Sequence, residues 1–305
     1  MPSYAAAQVR KRVKKLVVQL RHASEHSHDP DAIHDLRVSA RRFLQSLKVF
    51  GQFFDRQSSR KMRRRVRRVM DLSGEARNCD IALELLDLAG FHHAKCKSQL
   101  RRRRKLAEET LAALLSRWHK RRLHEHWSRH LSLVTGVSGD WDCARPVDVN
   151  AHRALPGLAK EFFAAGTVTA RARPDYERLH QFRLVAKRFR YTLEMFEPVF
   201  GLEIARGVKE LRGLQDELGA VNDCITALSL IAANPDAVAA IEKLLAGRES
   251  ALRSFWREHF DARQQAWWLD WLSRSSIETK PDLAPAKKQI AREGRSLHAR
   301  KSRAA

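Results

Sequence analysis

Apolar residues recur along most of this chain at spacings of three and four. Ile33, Leu36, Ala40, Phe43, Leu47, Phe50 and Phe54 make one such seam, the signature of a helix buried along one side. The same periodicity predicts helices over roughly 4–22, 31–54, 58–89 and 92–133, and again over 150–165, 175–200, 203–232 and 235–260. A looser stretch, 134–149, contains Gly136, Gly139, Asp140 and Pro146 and reads as a linker. Trp267 to Leu272 predicts a short closing helix. From 276 to 305 the chain carries Pro281, Pro285 and many Lys and Arg with little to bury, so it reads as a basic, disordered tail.

The two sets of helices repeat each other. The seam from Ile33 to Phe54 returns 146 residues later as Leu179, Phe182, Ala186, Phe189, Leu193, Phe196 and Phe200. In the next helix Val66, Arg67, Val69, Asp71 and Gly74 return 145 residues later as Leu211, Arg212, Leu214, Asp216 and Gly219. The repeat is too long for a solenoid unit. Four helices per half predict an all-α chain of two four-helix bundles, with half one at 1–133 and half two at 150–275.

The polar positions repeat as well. His34, Arg37 and Arg41 stand at i, i+3 and i+7, and so do His180, Arg183 and Lys187. With about 100° per residue and Ile33 at zero, the apolar seam spreads over about 260–360°. His34, Arg37, Arg41, Gln45 and Lys48 fall at about 40–120°, a stripe distinct from the core. In the second copy Tyr191 ends the stripe, Arg190 stands beside it, and Glu194 replaces Lys48. The following helix adds Arg60, Arg63, Arg64 and Arg67 on one face, and the repeat keeps Lys209 and Arg212. Carboxylates do not match these stripes, which sets them apart from an ordinary solvated face.

Composition sharpens this picture. Lys and Arg number 58 against 35 Asp and Glu, a net charge of +23, more than solubility requires. Such an excess points to a polyanionic partner. Arginine suits phosphate because its planar fork stays ionised and grips oxygen pairs. Cys79, Cys96, Cys143 and Cys224 show no Cys-x-x-Cys spacing, so neither a zinc site nor a disulfide framework is expected. His119, His124, His126 and His130 read as solvated surface, and no metal or cofactor is expected. No apolar run reaches the roughly 20 residues of a membrane span. The first 20 residues read as a helix and lack a signal peptide's apolar core. The chain therefore reads as cytoplasmic.

His34-x-x-Arg37-Val-x-x-Arg41-Arg42-Phe, paired with His180-x-x-Arg183-x-x-x-Lys187-Arg188-Phe-Arg190-Tyr191-x-Leu-Glu194, resembles the CHAD family, the conserved histidine α-helical domain. Leu214-Gln215-Asp216-x-Leu218-Gly219-x-x-Asn222-Asp223 and its weaker partner Gly74-x-x-Arg77-Asn78-x-Asp80 extend the likeness over about 4–260. The resemblance implies a single domain over 1–275, its two bundles related by internal pseudo-two-fold symmetry. It also implies binding of inorganic polyphosphate in a basic groove or pore lined by both halves, without catalysis, and association with polyphosphate granules. It places His34, Arg37, Arg41, His180, Arg183, Lys187 and Arg190 at the binding surface, with Arg64, Arg67, Lys209 and Arg212 from the following helices. Arg42, Lys48 and Arg188, in or beside the same motifs, complete the candidate set. Leu44 and Asn78 depart from the family's basic residue and Asp. No ExExK strand of a companion triphosphatase domain is present, so a stand-alone CHAD protein is expected.

Two other readings compete. A nucleic-acid-binding protein could use the same surface, but Phe43, Phe50, Phe189 and Phe196 fall in the core seam and would not stack on bases. A phosphohydrolase needs clustered carboxylates or an activated nucleophile, whereas Asp35, Asp71 and Asp80 are scattered.

Overall fold

Helix α1 runs Pro2–Glu25, α2 Pro30–Val49, α3 Arg56–Leu88 and α4 Ala94–Lys120. The second set is α5 Val147–Arg171, α6 Tyr176–Phe200, α7 Glu203–Ile231 and α8 Pro235–His259, closed by α9, Ala262–Ser273. The structure, a computed structural model, describes residues 1–120, 127, 131, 133, 134, 139, 141–171, 175–201 and 203–274. The predicted tail 276–305 lies outside the described residues, as do His124, His126 and His130.

Side-chain caps fix several of these starts. Asp29 accepts from the Asp31 amide at 3.0 Å before α2, and Asp175 from the Arg178 amide at 2.7 Å before α6. Asp55 caps α3 and Asn234 caps α8 in the same way. Each occupies an amide that the helix itself leaves unpaired. Asp29 and Asp175 stand at matched positions of the repeat, so the duplication extends to the caps.

Within Met1–Ser273 the helices form two four-membered rings. α1 packs on α2, α2 on α3, α3 on α4 and α4 back on α1. α5 to α8 repeat this circuit, and α9 returns to α5. The chain is all-α in two four-helix bundles, and equivalent helices meet across their boundary, α2 on α6 and α3 on α7. That self-matching is what a two-fold relation between halves produces. The seam residues from Leu36 to Phe50 and from Leu179 to Phe196 are buried, each aromatic contributing roughly 1.5–3 kcal/mol of apolar burial.

Three boundaries differ from the expectation. The helix over 31–54 stops at Val49; a 3₁₀ turn at Gly51–Phe53 follows, and Phe54 pairs with Leu133 in an isolated antiparallel bridge. α4 is described as far as Lys120, and Leu131 and Leu133, inside the expected helix 92–133, are not helical, because that bridge draws them alongside Phe53 and Phe54. α5 begins inside the expected linker. Asn150 organises its entry, accepting from the Asp142 amide at 2.7 Å and donating to the carbonyls of Asp142, Arg145 and Pro146.

The segment before α5 is more than a tether. The Trp141 indole donates to the Val49 carbonyl at 2.7 Å and packs 5.1 Å from the Phe196 ring. Gln52 holds the Trp141 backbone through both its amide and its carbonyl. Tyr4 stacks on Phe196 at 5.7 Å and donates its hydroxyl to the Met195 carbonyl. Tyr4, Phe50, Trp141 and Phe196 thus make an aromatic joint between the halves. Burial there pushes the Tyr4 phenol up to about 12.

Candidate anion-binding site

The α2–α6 contact brings the two basic stripes together. Arg37 is fixed from behind by α3: its Nη1 donates to the Met70 carbonyl and to Ser73 Oγ, each at 3.0 Å. Gly74, one turn on, leaves room for that guanidinium. Arg41 follows one turn along α2, and Arg183 and Lys187 face it from α6. All four are partly buried, and the buried Arg183 Nε has no hydrogen-bond partner among the described residues.

The electrostatics show the crowding. Burial, then the charges of Arg41, Arg77 and Arg183, pull Arg37 down to about 10. Burial and Arg41 lower Arg183 as well, with Asp223 opposing. Lys187 falls furthest, to about 6, through burial and then Arg183, Arg41 and Arg190. Arg41 belongs to one half and Arg183 and Lys187 to the other, so like charges are held close across the boundary. Such a cluster favours an incoming anion, because every charge in it lacks a full complement of counter-charge.

Two carboxylates partly offset it. Asp223 lies within the field of Arg183, Arg77 and Arg248, yet burial still raises its pKa. Glu194 accepts from Arg190 at 2.8 Å and from Arg212 at 3.4 Å, and Arg42 approaches it to 3.9 Å from the other half. Gln215 accepts from Arg190 Nε at 2.8 Å and donates to the Ala186 carbonyl. Arg190 is thereby locked beside the cluster with its guanidinium 4.5 Å over the Tyr191 ring.

Other expected residues lie elsewhere. Lys48 and Arg188 share a different cavity of about 670 Å³ with Trp141, Arg153 and Glu161, and Arg188 pairs with Glu161 at 3.0 Å. A helical wheel cannot foresee this, because it shows one helix and not the neighbours on each side of it. Arg64 and Arg67 line a separate groove along the N-terminal half of α3. Lys209 is exposed on α7. His34 lines a cavity of about 260 Å³ with Arg37, Arg77, Asp80 and Arg104, while His180 is exposed on α6.

Sequence reasoning missed Arg12, Asp223 and Arg248 as parts of the cluster's surroundings. Asp223 was within reach as the repeat's partner of Asn78. Arg12 comes from α1, bound to Gln8 and coupled to Glu194 and Arg42; only the packing of α1 reveals it. Among the described residues no group of three or more His, Cys, Asp or Glu is placed to hold a metal ion, and no helix is long and apolar enough to cross a membrane.

Comparison with known proteins places this geometry in a family. Solved structures with the same fold include PptA from Streptomyces chartreusis, 20% identical, with a TM-score of 0.57 over 85% of this chain and 98% of that one. The CHAD domain from the plant Ricinus communis is 18% identical, with a TM-score of 0.58 over 89% of this chain and 91% of that one. No curated protein matches the chain. The family profile of the CHAD domain matches residues 7–232, which include both basic stripes and the α2–α6 and α3–α7 contacts, and the chain belongs to the CHAD family.

Proposed function

We propose that this chain binds inorganic polyphosphate across the boundary of its two halves, without turning it over. The observation that carries the reading is the convergence of Arg41 with Arg183 and Lys187, cations of opposite halves, with Arg183 and Lys187 held there against their own ionisation. A linear chain of phosphates would supply the missing counter-charge at each position and restore the Lys187 ammonium. Arg37, Arg41, Arg183 and Lys187 would grip non-bridging oxygens through charge-assisted hydrogen bonds, with Arg42, Arg190 and Arg212 recruited from Glu194. Family membership supports this ligand class, and it carries with it a cytoplasmic location at polyphosphate deposits.

Phe43, Phe50, Phe189 and Phe196 are buried, and so is Tyr191 beside the cluster, so none of these five rings offers a platform for nucleobases. Polyphosphate is therefore favoured over nucleic acid, and it should displace DNA at far fewer phosphate equivalents than the reverse.

The direct test is titration of an Arg41→Gln/Arg183→Gln/Lys187→Gln protein with long-chain polyphosphate. Each charge-assisted contact contributes about 1.5–3 kcal/mol, so affinity should fall by about a hundredfold or more with helicity unchanged. Retained affinity in a folded triple variant would reject the site.

A further inference from the structure

We infer that the N-terminal half of α3 carries a second polyphosphate-binding groove, separate from the α2–α6 cluster and built into the first half alone. The inference rests on the reading of this chain as a polyphosphate binder. The groove has a volume of about 780 Å³ and is lined by Arg56, Arg60, Arg63, Arg64, Arg67 and Arg68, with Asp71 its one carboxylate. None of the residues of the α2–α6 cluster lines it. Among the described residues none of these six arginines forms an ion pair, so the groove is a concentration of unanswered charge.

Two features show that the groove is shaped and not a mere run of solvated side chains. Arg63 is turned inward, its Nη2 donating to the Leu47 carbonyl at the end of α2. A side chain at Gly51 would collide with that guanidinium, so the 3₁₀ turn makes room for it. The same arginine keeps a buried Nε with no acceptor among the described residues. Ser59 lines the groove, is 3% exposed, and leaves its hydroxyl without a hydrogen-bond partner among the described residues. A buried, unpaired hydroxyl beside six cations is a donor waiting for an acceptor oxygen.

The second half has no such groove in its sequence. At the positions that match Arg56, Arg60, Arg63 and Arg68 stand Gly201, Ala205, Val208 and Gly213; only Lys209 and Arg212 remain basic. Its lining includes no aromatic residue, so it offers charge and hydrogen bonds but no stacking surface. That chemistry fits a bare phosphate chain better than a nucleic acid. A chain long enough to engage both cluster and groove would gain from the second foothold without any change in the first. The groove would thus make this protein selective for length.

Three arginines of the groove can be neutralised without touching Arg63 or Ser59. An Arg60→Gln/Arg64→Gln/Arg68→Gln protein should bind short polyphosphate at one site where the parent binds at two. Its affinity for long chains should fall about tenfold or more, and the plot of log affinity against log salt should flatten by about two to three. Unchanged long-chain affinity, salt slope and stoichiometry would overturn the proposal. Arginine-selective modification of the unmutated protein gives a second readout that needs no variant. Polyphosphate should protect Arg60, Arg64 and Arg68, and absence of protection refutes the groove. Repeating it on the Arg41→Gln/Arg183→Gln/Lys187→Gln protein separates the two ideas. Protection that persists there supports an independent groove, whatever becomes of the cluster, and protection lost there shows the groove is not a separate site. Single-stranded DNA with the same number of phosphates should compete poorly; equal competition would overturn the ligand class.

Discussion

Lys187 is the residue in which burial and charge conflict most. Arg183, Arg41 and Arg190 surround it, and Asp223 is the one carboxylate that opposes them. With its pKa near 6 in the folded protein and about 10.4 when unfolded, the unfolded chain holds the extra proton between those values. Lys187 therefore makes the ligand-free protein more stable as pH rises through that window. A bound polyanion restores the ammonium, so binding takes up a proton and weakens as pH rises above about 6. Between pH 6.5 and 8.5 polyphosphate affinity should fall by up to about tenfold per pH unit, and the Lys187→Gln protein should lose that part of the dependence. Titration calorimetry in buffers of different ionisation enthalpy would count the protons directly; no net uptake by the parent would contradict this account. The residue itself was legible, because a duplicated i, i+3, i+7 pattern marks Arg183 and Lys187 without any structure. Its depressed pKa was not, since that comes first from burial where the halves meet, then from Arg183 and from Arg41 of the other half.

At the scale of elements, periodicity located the helices well, and its failures lie where side chains outside the helical pattern organise the backbone. The end of α2 and the non-helical course at Leu131 and Leu133 accompany contacts between distant parts of the chain, and the start of α5 is set by a local turn. Phe54 bridges Leu133, the Trp141 indole reaches Val49, and Asn150 gathers the turn from Asp142 to Pro146. Gly139 and Pro146 lie outside the helices, but nothing in the composition of that stretch announced that Trp141 would be buried in the joint. The same blindness explains why Lys48, on the candidate stripe, and Arg188, within the same motif, line another cavity. Trp141 offers a measurement of the joint's strength. Trp141→Ala removes a buried aromatic and an indole hydrogen bond, and should cost about 3–5 kcal/mol of unfolding free energy. Denaturant unfolding would check it, and a loss below about 1 kcal/mol would show that the segment is only a tether.

At the scale of the whole molecule, the halves are glued by aromatics and repelled by arginines. The proposed ligand acts on the second of these forces alone. Polyphosphate at about a hundredfold over its dissociation constant should stabilise the protein by about 2.7 kcal/mol. That corresponds to a rise of about 4–5 °C in Tm for a chain of this size. The rise should shrink as salt is added, and thermal scans at two ionic strengths would show it. A salt-insensitive shift would point to a ligand held by something other than charge. The duplication made the two-bundle plan readable in advance. The sequence also shows a departure from equality, Glu194 at the place of Lys48 and Arg190 at the place of Leu44; the packing adds an arginine groove in the first half. Polyphosphate reads the same from either end, so a lopsided trough cannot orient it. Turning the ligand around gives back the same complex. The inequality of the halves can only decide where the strand's middle settles, leaving a longer overhang on one side than on the other.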